Sequence, residues 1–272
     1  MKRIFSVLLT LALLTGVALS EETTVVDDVE VSEVPAAEVT AEPSEAEETD
    51  MARARASLKA EPMGEGRLDG IIIGIDPGHQ AHANSEKEQI APGSKETKAK
   101  VASGTSGVST GIAEYVTDLE IALQLRDALL DEGCTVYMTH DTADVDISNK
   151  ERAELMNGYN CDLVLRLHCD GSTDRSANGI GMFVRKTGEK QEESEAAAEV
   201  LLEKMSEATG AKARGVFLRD TYTMNNWSTV PCILVEMGYM SNPEEDEKLN
   251  DPDYQKLLVQ GMVEGICAYF ER

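Results

Sequence analysis

Aromatic side chains are scarce in this sequence of 272 residues: 4 Phe, 7 Tyr and 1 Trp make up 4% of it. A platform that stacks nucleobases needs more rings than that. Basic residues are scarce as well, 25 Lys and Arg against 50 Asp and Glu, for a formal charge of -25. A stripe of cations that follows phosphates has no source in such a chain, and nucleic acid is not an expected partner. Beyond residue 20 no apolar run approaches the roughly 18 to 20 residues needed to cross a bilayer, so no transmembrane segment is expected after signal cleavage. There is no internal repeat of solenoid length and no H-E-x-x-H helix motif. Cysteine is sparse too: Cys134, Cys161, Cys169, Cys232 and Cys267 match no disulfide framework, and the apolar runs around most of them read as buried thiols.

What is present begins with an address. Residues 1–20 place Lys2 and Arg3 before an apolar stretch from Ile4 to Leu19, with small residues at Ala18 and Ser20. That order of charge, apolar stretch and small residues reads as a signal peptide cut near Ser20, and hence as a secreted, extracellular protein. Residues 21–50 then hold twelve Asp or Glu, no Lys or Arg, and no Phe, Tyr, Trp, Leu or Ile. A segment of this kind cannot bury enough apolar surface to offset its ordering entropy, and its like charges repel. Residues 21–68 are therefore expected to form an acidic disordered linker, a tether or a solubilising segment ahead of a catalytic domain at 69–272.

In that domain strand and helix patterns alternate. The Ile-rich run Ile71–Ile75 closes at Pro77 and Gly78, as a strand buried on both faces would. Ile112, Val116, Leu119, Leu123 and Leu130 fall at helical spacing, and Gly133 ends the run. Further strands are expected at 135–139, 162–168, 179–186 and 232–238. Helices are expected after the Ser148/Glu151 capping box, from Gln191 to Thr209, and from Pro252 to about Phe270. The alternation predicts an α/β fold, a three-layer sandwich whose central, largely parallel sheet is flanked by helices. The polar stretch from Gln80 to Thr110 reads as a loop, either a lid or substrate-gripping loop over the site or a disordered surface excursion.

Two of the four histidines directly follow apolar strands, His79 after IIIGIDPG and His168 within DLVLRLH. In an open α/β sheet such strand ends share the edge where ligands bind. Glu236 closes CILVE at that edge, and Glu114 falls in the first turn of a helix that starts beside it. Two imidazoles and a carboxylate with an open fourth position suit a catalytic zinc ion, and a further carboxylate beside its water suits a general base. Glu120, six residues along the helix, lies about 9 Å deeper. His82 sits in a loop, His140 reads as a solvated histidine in a surface turn, and Cys169 reads as pocket wall.

These residues stand in segments that resemble a known family. Asp76-Pro77-Gly78-His79, Gly111-Ile112-Ala113-Glu114, Leu165-Arg166-Leu167-His168 and the run from Leu234 to Glu245 are similar, in order, to the zinc-dependent N-acetylmuramoyl-L-alanine amidases of bacterial cell walls. The resemblance covers about 70–270. It implies one Zn2+ on His79, Glu114 and His168, with Glu236 as catalytic carboxylate. The zinc would polarise the carbonyl and supply hydroxide, and Glu236 would carry the proton. It implies peptidoglycan as substrate, cut at the amide between N-acetylmuramic acid and L-alanine, and a wall-associated location. Departures from the family's pattern are Gln80 in place of a second glycine, Cys169-Asp170 after the second histidine, and 35 residues separating His79 from Glu114. Arg152 and Arg166 are expected either to contact substrate carboxylates or to form structural salt bridges. An acidic body does not cling to anionic wall polymers, which leaves affinity to the cleft or to a protein activator. The competing expectations are a zinc peptidase cutting within the stem peptide and a catalytically silent wall-binding domain.

Overall fold

A computed structural model of the chain describes residues 59–62 and 64–271. The expected signal peptide, and the expected linker as far as residue 58, lie outside the described residues. Nine strands occur among them: β1 (Lys59–Ala60), β2 (Ile72–Pro77), β3 (Asn84–Gln89), β4 (Thr97–Val101), β5 (Thr135–Met138), β6 (Leu163–Asp170), β7 (Ile180–Arg185), β8 (Ala213–Arg219) and β9 (Cys232–Tyr239). Seven of them form one sheet in the order β1-β5-β2-β6-β9-β7-β8, and β3 and β4 pair as a separate hairpin. The four strands β5, β2, β6 and β9 run parallel, while β7 is antiparallel to β9 and β1 antiparallel to β5.

The parallel strands are apolar on both faces because helices cover both faces. Along β6, Leu163, Leu165 and Leu167 enter the larger core beneath α1 (Glu114–Asp131), α3 (Gln191–Thr209) and α6 (Pro252–Phe270). Val164 points the other way, into a smaller cluster under α2 (Asn149–Tyr159) and α4 (Thr223–Trp227). The period of two that separates these sets is the pleat itself. Each fully buried Leu or Ile contributes about 1.5–3 kcal/mol, and truncating Leu165 to Ala would cost about 2–5 kcal/mol.

Local chemistry sets where the helices begin. Ser148 accepts a hydrogen bond from Glu151 N while the Glu151 carboxylate accepts one from Ser148 N, closing the capping box read from the sequence. Asn242 caps the short α5 (Pro243–Leu249), Asp251 caps α6 with Pro252 at its first position, and Gly210 ends α3 in the left-handed region. All five cysteines are buried and unbridged.

Order starts earlier than residue 69. Lys59 and Ala60 pair with Tyr137 and Val136 of β5, and Leu68 is fully buried in the larger core. Arg67 forms bidentate hydrogen bonds with both Glu132 and Glu264, which ties this segment to α6 and to the end of α1. The stretch from 80 to 110, expected as a loop, contains the β3–β4 hairpin.

Candidate active site

The parallel strands end along one edge, and chain reversals there place the site residues. β2 stops at Pro77, Gly78 N donates to Leu167 O at 2.8 Å, and His79 follows with φ 60°, a conformation that non-glycine residues adopt at a cost. Arg152 holds this backbone in place, donating to Pro77 O at 2.9 Å and to His79 O at 2.8 Å. The Nδ1 of His79 lies 2.8 Å from Ala102 O. A carbonyl only accepts, so Nδ1 carries the proton and Nε2 presents its lone pair to the cleft.

That lone pair faces Glu114. Glu114 Oε1 lies 3.0 Å from His79 Nε2 and 3.0 Å from His168 Nδ1, while Oε2 accepts from Thr105 N at 2.8 Å. One ligand atom from each of the three side chains lies within 4.8 Å of the others. Burial favours a neutral Glu114, but the two imidazoles outweigh it and hold its carboxyl well below the usual carboxylate range. His79 is lowered by burial and raised more by Glu114, for a net upward shift. His168 is more deeply enclosed, and burial brings it down to about 4 despite Glu114. Gly104 completes the cradle, since a Cβ there would stand 2.9 Å from both Glu114 Oε2 and His79 Cδ2.

Glu236 stands on β9 directly beside His168 on β6. Its Oε2 is buried with no hydrogen-bond partner among the described residues. Burial pushes its pKa well above the usual range, and the charges of Asp170 and Glu114 push the same way against Arg214 and Arg166. All four residues line one cleft of about 520 Å³, together with Arg166 and Tyr222. Two imidazoles and a carboxylate, converging and partly dehydrated, match the donor set of a zinc site that keeps positions free for water and substrate.

The other sequence candidates resolve on their contacts. Arg152 is 1% exposed and bonds Asp76 Oδ1 at 2.8 Å, the carbonyls of Pro77, His79 and Ile147, and Gln80. These contacts make it a structural ion-pair partner, and it is not among the residues that line the cleft. Arg166 reaches the cleft, but its guanidinium is engaged by Asp76 Oδ2 at 2.9 Å, Asn149 Oδ1 at 3.0 Å and Asn225 Oδ1 at 3.2 Å. His140 corrects the reading of a solvated histidine: it is buried against Thr139 and Arg152. His82 is exposed and outside the cluster. Glu120 accepts from Gln255 Nε2 at 3.3 Å, away from the cluster. Cys169 lines the cleft, and its backbone N donates to Glu114 Oε1 at 3.3 Å.

Sequence reasoning missed two carboxylates. Asp76 joins Arg152, Arg166 and Thr139 beneath the site, and its place at the end of a buried strand was the available signal. Asp118, one helical turn beyond Glu114, is fully buried with neither oxygen hydrogen-bonded among the described residues.

Fold and site together define the class, an α/β enzyme with a metal-competent His-Glu-His cluster in an open cleft. Residues 73–268 match the family described as N-acetylmuramoyl-L-alanine amidase, and the chain belongs to that family. Its similarity to the germination-specific N-acetylmuramoyl-L-alanine amidase of Bacillus subtilis is 27% identity over 75% of this chain and 81% of that protein. For the N-acetylmuramoyl-L-alanine amidase Rv3717 of Mycobacterium tuberculosis it is 28%, over 74% and 87%. The crystal structure of apo N-acetylmuramyl-L-alanine amidase Ami1 from Mycobacterium abscessus superposes with TM-score 0.69 at 26% identity, covering 75% of this chain and all of that one (100%). No helix among the described residues is long and apolar enough to cross a membrane.

Proposed function

We propose that this amidase binds one zinc ion through His79 Nε2, Glu114 and His168, and hydrolyses the amide between N-acetylmuramic acid and L-alanine in peptidoglycan with Glu236 as general base and acid. The observation that carries the reading is the convergence of three metal-competent side chains beside a buried carboxylate oxygen that has no partner of its own. Bound zinc would polarise the scissile carbonyl and make water more acidic. The chain's own groups do the rest. Glu236 takes the proton from the attacking water and passes it to the nitrogen of L-alanine, so that the stem peptide leaves as an amine. Its dehydrated setting raises its proton affinity, which suits a group that must accept a proton and then give it up. Thr105 N and Cys169 N hold Glu114 by its two oxygens, and Ala102 O fixes the His79 tautomer.

The charge and apolar pattern of residues 1–20 supports export and action at the cell wall, with the acidic segment that follows as a tether for the domain behind it. Mass spectrometry of purified peptidoglycan treated with the full chain and zinc tests the activity. Stem peptides with free amino-terminal L-alanine are expected, and a chelator should abolish them. Cuts inside the peptide would make the enzyme a peptidase. No product from a zinc-loaded chain would refute the catalytic reading in favour of a silent wall-binding domain, unless an added activator protein restored cleavage.

A further inference from the structure

One wall of the cleft comes from the β3–β4 hairpin, and its charge is opposite to that of the rest of the protein. In the hairpin register Lys87 pairs with Ala99 and Gln89 with Thr97, so Lys87 shares a face with Thr97 and Ala99. All three line the cleft that holds His79, Glu114 and Glu236. Lys98 reaches the same space from the other face of the hairpin, and its Nζ donates to Thr221 O at 2.6 Å, which ties the hairpin to the segment before α4.

Neither amine has a carboxylate partner among the described residues. Lys100, on the same strand, does, with its Nζ 2.8 Å from Glu86. Lys150, Lys190, Lys204 and Lys256 likewise lie against acids. Lys98 stands opposite Glu88 in the hairpin register, whereas Lys87 stands opposite Ala99 and lines the cleft with no acid facing it across the hairpin, so it is left to meet an anion that the protein does not supply. The substrate has such an anion on one side only. The carboxyl of the muramoyl group is consumed in the scissile amide, and the N-acetylated sugar is neutral. The charged groups lie on the peptide, beginning with the residue after L-alanine, which carries either a free carboxylate or its carboxamide.

We infer that Lys87, on the hairpin face that lines the cleft with Thr97 and Ala99, forms a carboxylate subsite for the stem peptide and makes the enzyme favour substrates whose second residue is a free acid over those in which it is amidated. The inference rests on the amidase reading and deepens it. Lys87 is exposed and its side chain makes no hydrogen bond or ion pair among the described residues, so its replacement is expected to leave the fold intact.

The test compares kcat/KM of the full chain on two synthetic muramoyl peptides that differ only in a carboxylate or carboxamide at the second residue. A partly solvated ion pair of this kind is worth a ratio of about five-fold. The ratio should fall toward one in Lys87→Met through KM, survive in Lys87→Arg, and shrink as salt is raised. Equal use of both substrates by the wild type, or an undiminished ratio in Lys87→Met, would overturn the inference while leaving the amidase reading standing. Failure to cleave the carboxamide and the carboxylate alike would instead remove the amidase reading, and the inference with it.

Discussion

Replacing Asp76 with Asn should be among the most damaging single changes outside the metal cluster. Asp76 is 0% exposed and accepts from Arg152 at 2.8 Å, Arg166 at 2.9 Å and Thr139 at 2.7 Å. Both guanidinium groups are also buried, at 1% and 4% exposure, so the amide would leave two cations without counter-charge in a dehydrated site. Removing one member of a buried ion pair costs about 3–5 kcal/mol, a large part of the ~5–15 kcal/mol that holds a domain together. At roughly 2–4 °C per kcal/mol for a domain of this size, a loss of about 4 kcal/mol lowers the melting temperature by about 8–16 °C. Arg152 also fixes the carbonyls of Pro77 and His79, so zinc affinity should fall together with stability. The two arginines hold the Asp76 carboxyl well below its usual pKa against the effect of burial. A depressed folded-state pKa contributes stability above the unfolded value, near pH 4, which is lost as pH falls below it. Asp76→Asn should lack that part of the acid transition. Thermal and urea unfolding of the metal-free proteins measures the stability and its pH dependence, and zinc titration against a competing chelator measures the affinity. A melting shift under about 2 °C, with zinc affinity unchanged, would refute the reasoning.

His140 makes a second acid-sensitive contribution of opposite origin: burial and Arg152 bring its pKa down to about 3. Both states are neutral above about pH 6.5; below that only the unfolded chain takes up the proton, and the folded state loses about 1.4 kcal/mol per pH unit down to about pH 3. Urea midpoints of metal-free wild type and His140→Gln between pH 7 and 4 should therefore converge as pH falls, and parallel curves would contradict a buried neutral imidazole. Gly104→Ala should weaken zinc binding by at least ten-fold (about 1.4 kcal/mol), because φ there is +75° and the new Cβ meets Glu114 and His79; zinc titration against a competing chelator reads the loss. Glu114→Gln should reduce zinc affinity more than Gly104→Ala in the same titration, because it removes the charge from the donor set.

The site was legible where chemistry sits at the end of an apolar pattern. His79 and His168 follow runs buried on both faces, which no exposed strand would carry, and the three-layer sandwich follows from those runs alternating with amphipathic helices. The hairpin was not legible: NSEKEQ has no apolar residue and TKAKV only Ala99 and Val101, too little for the sustained alternation that marks a half-buried strand. β8 escaped because its apolar run is only Val216–Leu218, flanked by Arg214-Gly215 and Arg219, in an edge strand that is intermediate in burial for most of its length. The two-residue β1 was not legible either, since Lys59 and Ala60 are too short a segment to show any pattern. His140 was misread because its acidic neighbours in DTADVD suggest solvent, whereas its ring is buried between the adjacent Thr139 and Arg152 of α2, which only the fold brings beside it. Buried ion-pair networks such as that of Asp76 are assembled by the fold, and no local spacing announces them.

In the proposed mechanism Glu236 moves the proton while His79, Glu114 and His168 hold the metal. Stem-peptide release by Glu236→Gln, measured on the sample whose zinc content has been determined, tests it most directly. The account predicts one zinc per chain, as in the wild type, with release lowered by about 10²–10⁴-fold, the usual contribution of a general acid-base group. Release at the wild-type rate with zinc in place would show that another group carries the proton, and loss of the zinc itself would show that Glu236 belongs to the metal site.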